Sequence, residues 1–192
     1  MTSALAQDSW ESLLHAWTEL DLPEGWRAEI IDGGIAMTPP PANMHNRIGG
    51  LIHRALARAL PDDLEIHQTQ GIRIAALDDL YIPDVVVVAP RAALPAGTEP
   101  ISAEKVLLVV EITSRRGAGR DRNTKKWGYA HGPVPLYLLI DRFDENGPSI
   151  TLYSEPEAGH YRRHIQVPFG ESVPLPAPFG IELSTGEFPA GE

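Results

Sequence analysis

The sequence predicts a single α/β domain in which helices flank a mixed central β-sheet. Three apolar runs rich in Val, Leu and Ile, at residues 85–88, 106–110 and 136–140, have the length and composition of buried strands. A helical segment between the last two runs is typical of a crossover connection. The chain of 192 residues is long enough for one domain with a substantial core.

The first third of the chain is predicted to contain two helices and several short strands. From Ser9 to Leu20, apolar residues recur at helical spacing, which predicts an amphipathic helix that packs on the domain or meets a partner chain. We assign residues 1–25 to this N-terminal segment and residues 26–188 to the domain. The elements that follow are two strands within residues 27–37 around Asp32-Gly33-Gly34, a helix from His45 to Leu60, and a strand from Glu65 to Ile74.

The rest of the chain is predicted to contain one further helix between strands. The Pro- and Ala-rich stretch from Ala89 to Pro100 is predicted as a loop. A short helix from Asp121 to His131 ends before two prolines. The elements after it are the apolar strand at 136–140, an antiparallel hairpin of residues 150–153 and 160–167, and a Pro-rich segment from Pro174 that we assign to packing.

Two of the buried strands carry an acid at one end, where a buried strand normally has none. Asp84 precedes the run of four valines, and Glu111 follows the second apolar run. If these strands are neighbours, the carboxylates approach each other and repel unless a proton or a hard divalent cation lies between them. The pair predicts a metal site. The alternative is that each acid marks the place where a strand emerges into solvent.

A lysine on the following helix supplies a cation near this pair. Asp121, Lys125 and Tyr129 recur at intervals of four, so they share one face of the predicted helix. The crossover connection would lay Lys125 over the sheet near its carboxylates. The alternative for Lys125 is a solvated cation on the helix surface.

Four motifs occur together in the second half of the chain: PDVVVV at 83–88, VEITS at 110–114, D-x3-K-x3-Y at 121–129 and PLYLLID at 135–141. Weaker matches lie outside them, at EIIDGG (29–34), PPP (39–41), His45 and IEL (181–183). This combination resembles the Uma2 family of endonucleases, which belongs to the PD-(D/E)XK or restriction-endonuclease-like superfamily. The resemblance extends from about Trp26 to Phe188 and implies a restriction-endonuclease-like fold.

The resemblance implies an enzyme that hydrolyses phosphodiester bonds in DNA with Mg²⁺, for which Mn²⁺ can substitute. Asp84 and Glu111 would hold the metal ion, and Lys125 would be the catalytic cation. The superfamily pattern has a lysine two residues after the second acid, where this chain has Thr113. Lys125 is the match by position, and the neighbouring Lys126 points about 100° away around the helix.

Further site residues are implied with less support from the residues themselves. Glu29 and His45 match family positions and are additional candidates for the site. A local cluster of basic residues, Arg115, Arg116 and Arg120, is predicted to contact nucleic acid. The resemblance also implies a homodimer, in which this positive patch would extend into a cleft.

The formal net charge of −10 argues against the favoured function, because nucleic-acid binding rests largely on the neutralisation of phosphates. Two other functions therefore remain. One is a binding or scaffold protein with a nuclease fold that does not cleave. The other is a metal-independent hydrolase that uses Glu111 and Asp84 as general acid and base.

Composition excludes several other classes of protein. Because the chain contains no cysteine, it has neither a disulfide nor a thiolate zinc site. No apolar run approaches the roughly 20 residues of a membrane-spanning helix, and the N-terminus lacks the basic-then-apolar pattern of a signal peptide. We expect a soluble, cytoplasmic protein.

Overall fold

The computed structural model describes residues 2–88 and 99–189, and within the first helix it describes the side chains from Trp10 onward. The predicted loop from Ala89 to Pro100 therefore lies outside the described residues, except for its last two. In the two described ranges, no helix has the length and apolar character needed to cross a membrane.

The described residues form thirteen strands and several helical segments. Helix α1 spans Thr2–Thr18 and helix α2 spans Asn43–Ala59. A third segment, called the site helix below, combines α3 (Ala118–Arg120), a π-helical turn (Asp121–Lys125) and α4 (Lys126–His131). The strands are β1 Arg27–Ile31, β2 Gly34–Thr38, β3 Glu65–His67, β4 Ile72–Ile74, β5 Asp79–Tyr81, β6 Val85–Val88, β7 Ile101–Ser102, β8 Val106–Ile112, β9 Leu136–Asp141, β10 Ser149–Glu157, β11 His160–Pro168, β12 Ser172–Leu175 and β13 Ile181–Ser184.

The strands form two mixed sheets and a small C-terminal hairpin, which confirms the predicted α/β class with mixed sheets and flanking helices. The six-stranded sheet has the order β11-β10-β9-β8-β6-β3, and the five-stranded sheet has the order β2-β1-β5-β4-β7. Strands β8 and β9, which precede and follow the site helix along the chain, pair in parallel, as the predicted crossover requires. The sequence suggested one central sheet. The second sheet was missed because only β1 and β2 are joined by a predicted hairpin. Its other strands, of two or three residues, carry no local signal of their partners.

The six-stranded sheet has two faces of different composition, because side chains alternate along each strand. The aliphatic face includes Val85 and Leu138 and packs against α2 and the β12–β13 hairpin. The other face, called the site face below, includes Val86 and Tyr137. It packs against Tyr129 of the site helix and against the five-stranded sheet. The core therefore lies on both sides of this sheet.

The predicted strand from Glu65 to Ile74 is wrong. Strands β3 and β4 are separate and belong to different sheets, and the chain turns between them with Thr69 at φ 58°. A β-branched residue seldom adopts this left-handed conformation, so the turn had no sequence signal. Gln70, in the same turn, donates its side-chain hydrogen bond to the neighbouring Gly71 carbonyl.

Helix α1 packs on the five-stranded sheet through its aromatic residues. Trp10 is buried with Ile30 and Leu80. The indole Nε1 of Trp17 donates a hydrogen bond of 2.6 Å to the carbonyl oxygen of Ala28. The helix begins earlier than predicted, at Thr2. The division of the chain after residue 25 stays a prediction.

The predicted hairpins are present. Asp32 and Gly33 join β1 to β2 with φ values of 51° and 72°, as expected for a two-residue turn of the I′ type. Strands β10 and β11 form the predicted antiparallel pair, but they continue as far as a tight turn at Ala158-Gly159. In the C-terminal segment, β12 and β13 contribute buried residues to the aliphatic face, which confirms the packing role assigned to it.

Candidate active site

The two strand-end acids lie opposite each other on neighbouring strands. Strands β6 and β8 are antiparallel with Val85 opposite Val110, and the same register extended by one residue sets Asp84 opposite Glu111. The backbone N–H of Asp84 donates to the carbonyl oxygen of Val110 at 3.2 Å, which continues the pairing. Alternation along each strand assigns both carboxylates to the site face.

Lys125 reaches the carboxylates from the site helix. Its Nζ lies 2.9 Å from Oε1 of Glu111 and 2.7 Å from Oε1 of Glu29, and all three side chains are buried. The hydroxyl of Tyr129 donates to the same Glu111 oxygen at 2.7 Å. The backbone N–H of Ile82 donates to the Glu29 oxygen, also at 2.7 Å. One ammonium group therefore bridges two buried carboxylates that further donors hold in place.

Asp84 is held by a different set of donors. Its Oδ1 accepts hydrogen bonds of 3.2 Å from Nη1 and Nη2 of Arg27. Its Oδ2 lies 3.0 Å from Nε2 of His45 and accepts the backbone N–H of Ile112 at 2.8 Å. Burial alone would raise the pKa of this carboxyl. The His45 ring, Arg27 and the Ile112 amide outweigh burial and hold the pKa below its ordinary value of 3.8.

Glu111 and Lys125 have shifted pKa values that reflect their mutual burial. Burial raises the pKa of Glu111 well above its ordinary value, Lys125 opposes this, and the nearby Asp121, Asp84 and Glu29 add to it. Burial alone would lower the pKa of Lys125, but its acidic neighbours outweigh burial and raise it. The Lys125 ammonium therefore stays charged, and the two strand-end acids have pKa values shifted in opposite directions.

The site helix is widened at its centre. Residues Asp121–Lys125 form a π-helical turn, a feature that frequently occurs at functional sites. Asp121, Lys125 and Tyr129 are all buried, in agreement with the shared face predicted from their spacing. Burial raises the pKa of Asp121 to about 6; Lys125 opposes the shift, and Asp84 and Glu29 add to it.

Gly128 lets the site helix lie directly against the five-stranded sheet. A Cβ atom at this position would collide with the ring of Tyr81 on β5. The Tyr81 hydroxyl is fixed by a hydrogen bond of 2.6 Å to Asp79, and the Tyr81 ring centre lies 6.0 Å from Nζ of Lys125. The missing side chain therefore sets how deeply Lys125 enters the site.

The position of the expected superfamily lysine has a structural role. Thr113 is fully buried, donates a hydrogen bond of 3.3 Å to Asp141 and accepts one of 3.0 Å from the backbone N–H of Arg142. Of the two candidate lysines on the helix, Lys125 reaches the carboxylates, whereas Nζ of Lys126 lies 5.2 Å from the centre of the Tyr153 ring.

The structure brings Glu29 and His45 into the site, from β1 and α2, with the contacts given above. Sequence reasoning missed Arg27, although alternation along β1 places it on the same side as Glu29 and could have identified it. It also missed Tyr129 as a partner of Glu111, despite the four-residue spacing.

The three arginines predicted to contact nucleic acid are exposed at the start of the site helix and in the loop before it. The guanidinium carbon of Arg115 lies 4.9 Å from the centre of the Phe143 ring. Arg120 is near enough to Asp121 to oppose the rise in its pKa. A role in nucleic-acid binding stays a prediction for all three.

The carboxylates match a hard divalent cation in chemistry, but in this arrangement cations of the protein already neutralise them. Mg²⁺ and Mn²⁺ prefer the oxygen ligands that Asp84 and Glu111 supply. Within the described ranges, no three His, Asp or Glu side chains converge in a way that could hold an ion. Arg27 and Lys125 contact the oxygens that an ion would use. A bound ion would therefore have to displace at least part of these contacts.

Comparison with known proteins agrees with this architecture. A crystal structure from Anabaena variabilis, described as "a putative nuclease belonging to DUF820", is similar with a TM-score of 0.69 and 17% sequence identity over 92% of this chain and 96% of that chain. This likeness confirms the fold. No curated protein matches the sequence. The model of the Uma2 family, described as "Putative restriction endonuclease", matches residues 10–186. The chain therefore belongs to the Uma2 family, which its motifs resemble.

Proposed function

We propose that this protein is an Mg²⁺-dependent endonuclease that hydrolyses phosphodiester bonds in DNA. The observation that carries the proposal is the position of Lys125, whose Nζ lies 2.9 Å from Glu111 and 2.7 Å from Glu29, beside the strand-paired Asp84. Two opposed carboxylates and one charged ammonium are the groups that metal-assisted phosphodiester hydrolysis uses. Family membership supports the same reaction class.

Each residue of this set has a distinct role in the proposal. Asp84 and Glu111 would hold the metal ion, which when bound supplies a water molecule of lowered pKa and neutralises phosphate charge. Lys125 keeps its proton because acidic neighbours raise its pKa, so Nζ can donate a hydrogen bond to a phosphate oxygen as negative charge grows there. Tyr129 and Glu29 orient Glu111 and Lys125, respectively, through the hydrogen bonds they make.

Arg27 and His45 extend the proposal to substrate binding. Both contact Asp84, and both are only partly buried, with 18% and 11% of their side chains exposed. If the carboxylate turns toward a metal ion, their N–H groups become free to donate to the phosphate next to the cleaved bond. They are therefore proposed to bind the phosphate that the site cleaves.

The net charge of −10 limits long-range attraction between the protein and DNA. In the proposal, local cations replace this attraction. The exposed Arg115, Arg116 and Arg120 lie on the helical segment that carries Lys125 and in the loop before it, and they would bind the DNA there. A homodimer, which would extend the patch, stays a prediction that sedimentation analysis of the purified protein can test.

The second candidate function is a nuclease-fold binding protein that does not cleave. The closed network favours it, since Arg27, His45 and the Ile112 amide already satisfy Asp84, and Lys125 already neutralises Glu111. A network of this kind can hold the fold together without any metal ion. The two candidates differ in whether a divalent cation can displace the internal cations.

A calorimetric titration with Mn²⁺ tests the proposal. Wild type, Glu111→Ala and the surface control Glu157→Ala are titrated under identical conditions, and circular dichroism checks that each is folded. We expect saturable Mn²⁺ binding by wild type and by Glu157→Ala, and loss of that binding in Glu111→Ala. Absence of binding in all three proteins would support the non-cleaving scaffold.

Cleavage of supercoiled plasmid and of single-stranded oligonucleotides completes the test. We expect cleavage with Mg²⁺ or Mn²⁺ that stops in excess chelator and is lost in Glu111→Ala. Cleavage that persists in chelator would instead favour metal-independent hydrolysis by the carboxylate pair. Mn²⁺ binding without cleavage of any substrate would contradict the nuclease function while leaving the metal site in place.

A further inference from the structure

A cleft lies between the site helix and the β10–β11 hairpin. Its volume of about 710 Å³ is within the range of roughly 300–1,000 Å³ that small-ligand sites span. Lys126 and Trp127, the residues directly after Lys125, form its helix wall. Tyr153 and Tyr161 contribute to the opposite wall. The same helix therefore presents one face to the carboxylates and the next face to this cleft.

Aromatic rings and one cation dominate the cleft. Trp127 is 40% exposed, although a large aromatic side chain gains stability from burial. The rings of Tyr153 and Tyr161 lie 5.9 Å apart, and the ring of His164 lies 5.9 Å from that of Tyr153. Nζ of Lys126 lies 5.2 Å from the Tyr153 ring centre. Exposed aromatic rings with an adjacent cation are the features on which single-stranded nucleic acids stack.

A row of tyrosines connects the cleft to the proposed active site. The ring of Tyr129, whose hydroxyl donates to Glu111, lies 5.2 Å from the ring of Tyr137. Tyr137 in turn stacks on Tyr153 in the cleft at 5.8 Å. Two ring contacts, made by the buried rings of Tyr129 and Tyr137, therefore separate the cleft from the Glu111 carboxylate.

The charges in the cleft suit a nucleobase better than a phosphate. The lining contains one positive side chain, Lys126, and one exposed carboxylate, that of Asp32. The side chains of Asn123 and Gln166 add amide donors and acceptors. A phosphate site would need an excess of cations. A near-neutral cleft with aromatic walls and hydrogen-bonding rims instead matches the flat, polar-edged surface of a base.

We infer that this cleft binds an unpaired nucleobase of the strand that the site cleaves, an inference that rests on the proposed nuclease function and narrows its substrate. Bases within a duplex cover each other's faces, so Trp127 can stack only on a base of a single strand, flap or loop. The substrate class is therefore single-stranded or partly unpaired nucleic acid. Stacking also supplies affinity that the acidic chain lacks from long-range electrostatics.

Fluorescence anisotropy of a labelled oligothymidylate tests the inference. Binding is measured in chelator, so that no strand is cut, and a blunt duplex of the same length is the competing ligand. The variants are Trp127→Ala, Trp127→Phe and the matched control Trp26→Ala, which removes a tryptophan of similar exposure, 37%, outside the cleft lining. Circular dichroism checks that each variant is folded.

We expect wild type to bind the single strand more tightly than the duplex. Trp127→Ala should weaken single-strand binding by about tenfold, the effect of losing one stacked base, while Trp127→Phe recovers most of it and Trp26→Ala changes it little. Equal affinity of wild type and Trp127→Ala for the single strand would overturn the inference, as would a preference of wild type for the duplex or no binding at all.

The inference and the proposed function fail in different ways. If Trp127→Ala weakens binding but no Mg²⁺- or Mn²⁺-dependent cleavage of any substrate occurs, the cleft keeps its base-binding role and the nuclease function is wrong. If the protein cleaves DNA and Trp127→Ala neither binds more weakly nor cleaves single strands more slowly, the nuclease function stands and the cleft assignment is wrong.

Discussion

The two faces of the six-stranded sheet use the same strands for different purposes. On the aliphatic face, Val85, Leu108 and Leu138 pack against α2 and the C-terminal hairpin with almost no exposed surface. On the site face, alternate residues of the same strands include Glu111 and Tyr137, and Lys125 of the site helix contacts Glu111. Alternation along a strand lets a dry core lie directly beneath a polar site.

The contrast indicates that the buried charges of the site face cost part of the stability that apolar packing supplies on both faces. Burying apolar side chains stabilises a fold, whereas burying charges costs free energy that ion pairing only partly recovers. The raised pKa values of Glu111 and Asp121 are signs of this cost. Substitutions on the two faces should therefore change the free energy of unfolding by different amounts and in different directions, and they should differ in their effect on metal binding.

The largest loss of stability is expected from Lys125→Met. Glu29 and Glu111 would stay buried without their shared cation, which should lower the free energy of unfolding by about 3–5 kcal/mol. Urea denaturation at neutral pH measures the loss. The neighbouring Lys126→Met is the control, and it should change stability by less than about 1 kcal/mol. Similar losses in both variants would contradict the bridging role of Lys125.

On the aliphatic face, Leu138→Ala should lower the free energy of unfolding by about 2–5 kcal/mol, because it opens a cavity in a fully buried layer. Mn²⁺ affinity of the folded variant should stay that of wild type, which calorimetry measures. The exposed Ile165→Ala on β11 is the control, with a change of less than about 0.5 kcal/mol. A large loss of metal affinity in folded Leu138→Ala would mean that the two faces are not independent.

Replacing Asp121 by Asn should stabilise the protein at high pH. The pKa of Asp121 is raised from 3.8 to about 6, so the folded state holds this proton more tightly and wild type loses stability as pH rises through that window. Above the window, Asp121→Asn should be more stable than wild type by up to about 3 kcal/mol, and below 3.8 the difference should vanish. Urea denaturation across this pH range checks the sign. A difference in the free energy of unfolding that does not change with pH would show that the charge of the Asp121 carboxylate does not destabilise the folded state.

The smallest effect on stability is expected on the β10–β11 hairpin, at one edge of the six-stranded sheet. Arg162 and Glu157 form an ion pair of 3.1 Å on the β10–β11 hairpin, but their side chains are 63% and 65% exposed. Arg162→Gln should therefore change stability by less than about 1 kcal/mol, against the much larger effect at the buried Lys125. Thermal unfolding of the two variants side by side measures this contrast, and a loss as large as that of Lys125→Met would contradict it.

The strands of the six-stranded sheet that carry the site could be predicted because their signals are local. An uninterrupted apolar run of the right length, as at Val85–Val88, predicts a buried strand wherever it pairs. The same holds for the acids at the strand ends, which stand out against apolar neighbours. The spacing of Asp121, Lys125 and Tyr129 likewise identifies a helix face before the helix is placed.

What could not be predicted depends on contacts distant in sequence. The separation of β3 from β4 into two sheets has no marker at Thr69, a β-branched residue whose φ of 58° no local pattern predicts. The sequence gives no signal for the π-helical turn either. The clamp of Arg27 on Asp84 joins residues 57 positions apart, one on β1 of the five-stranded sheet and one just before β6 of the six-stranded sheet. Alternation along β1 therefore indicates the side of Arg27 but not its partner.

Gly128 has a consequence for how sequences of this kind can vary. Because any Cβ there meets the Tyr81 ring, a larger residue would lever the site helix off the sheet and draw Lys125 away from both carboxylates. A larger residue in place of Gly128 is therefore acceptable only where a smaller one replaces Tyr81. Among relatives that keep their lysine on this helix, we expect glycine three positions after it wherever an aromatic ring fills the place of Tyr81, and joint replacement of the two where it does not.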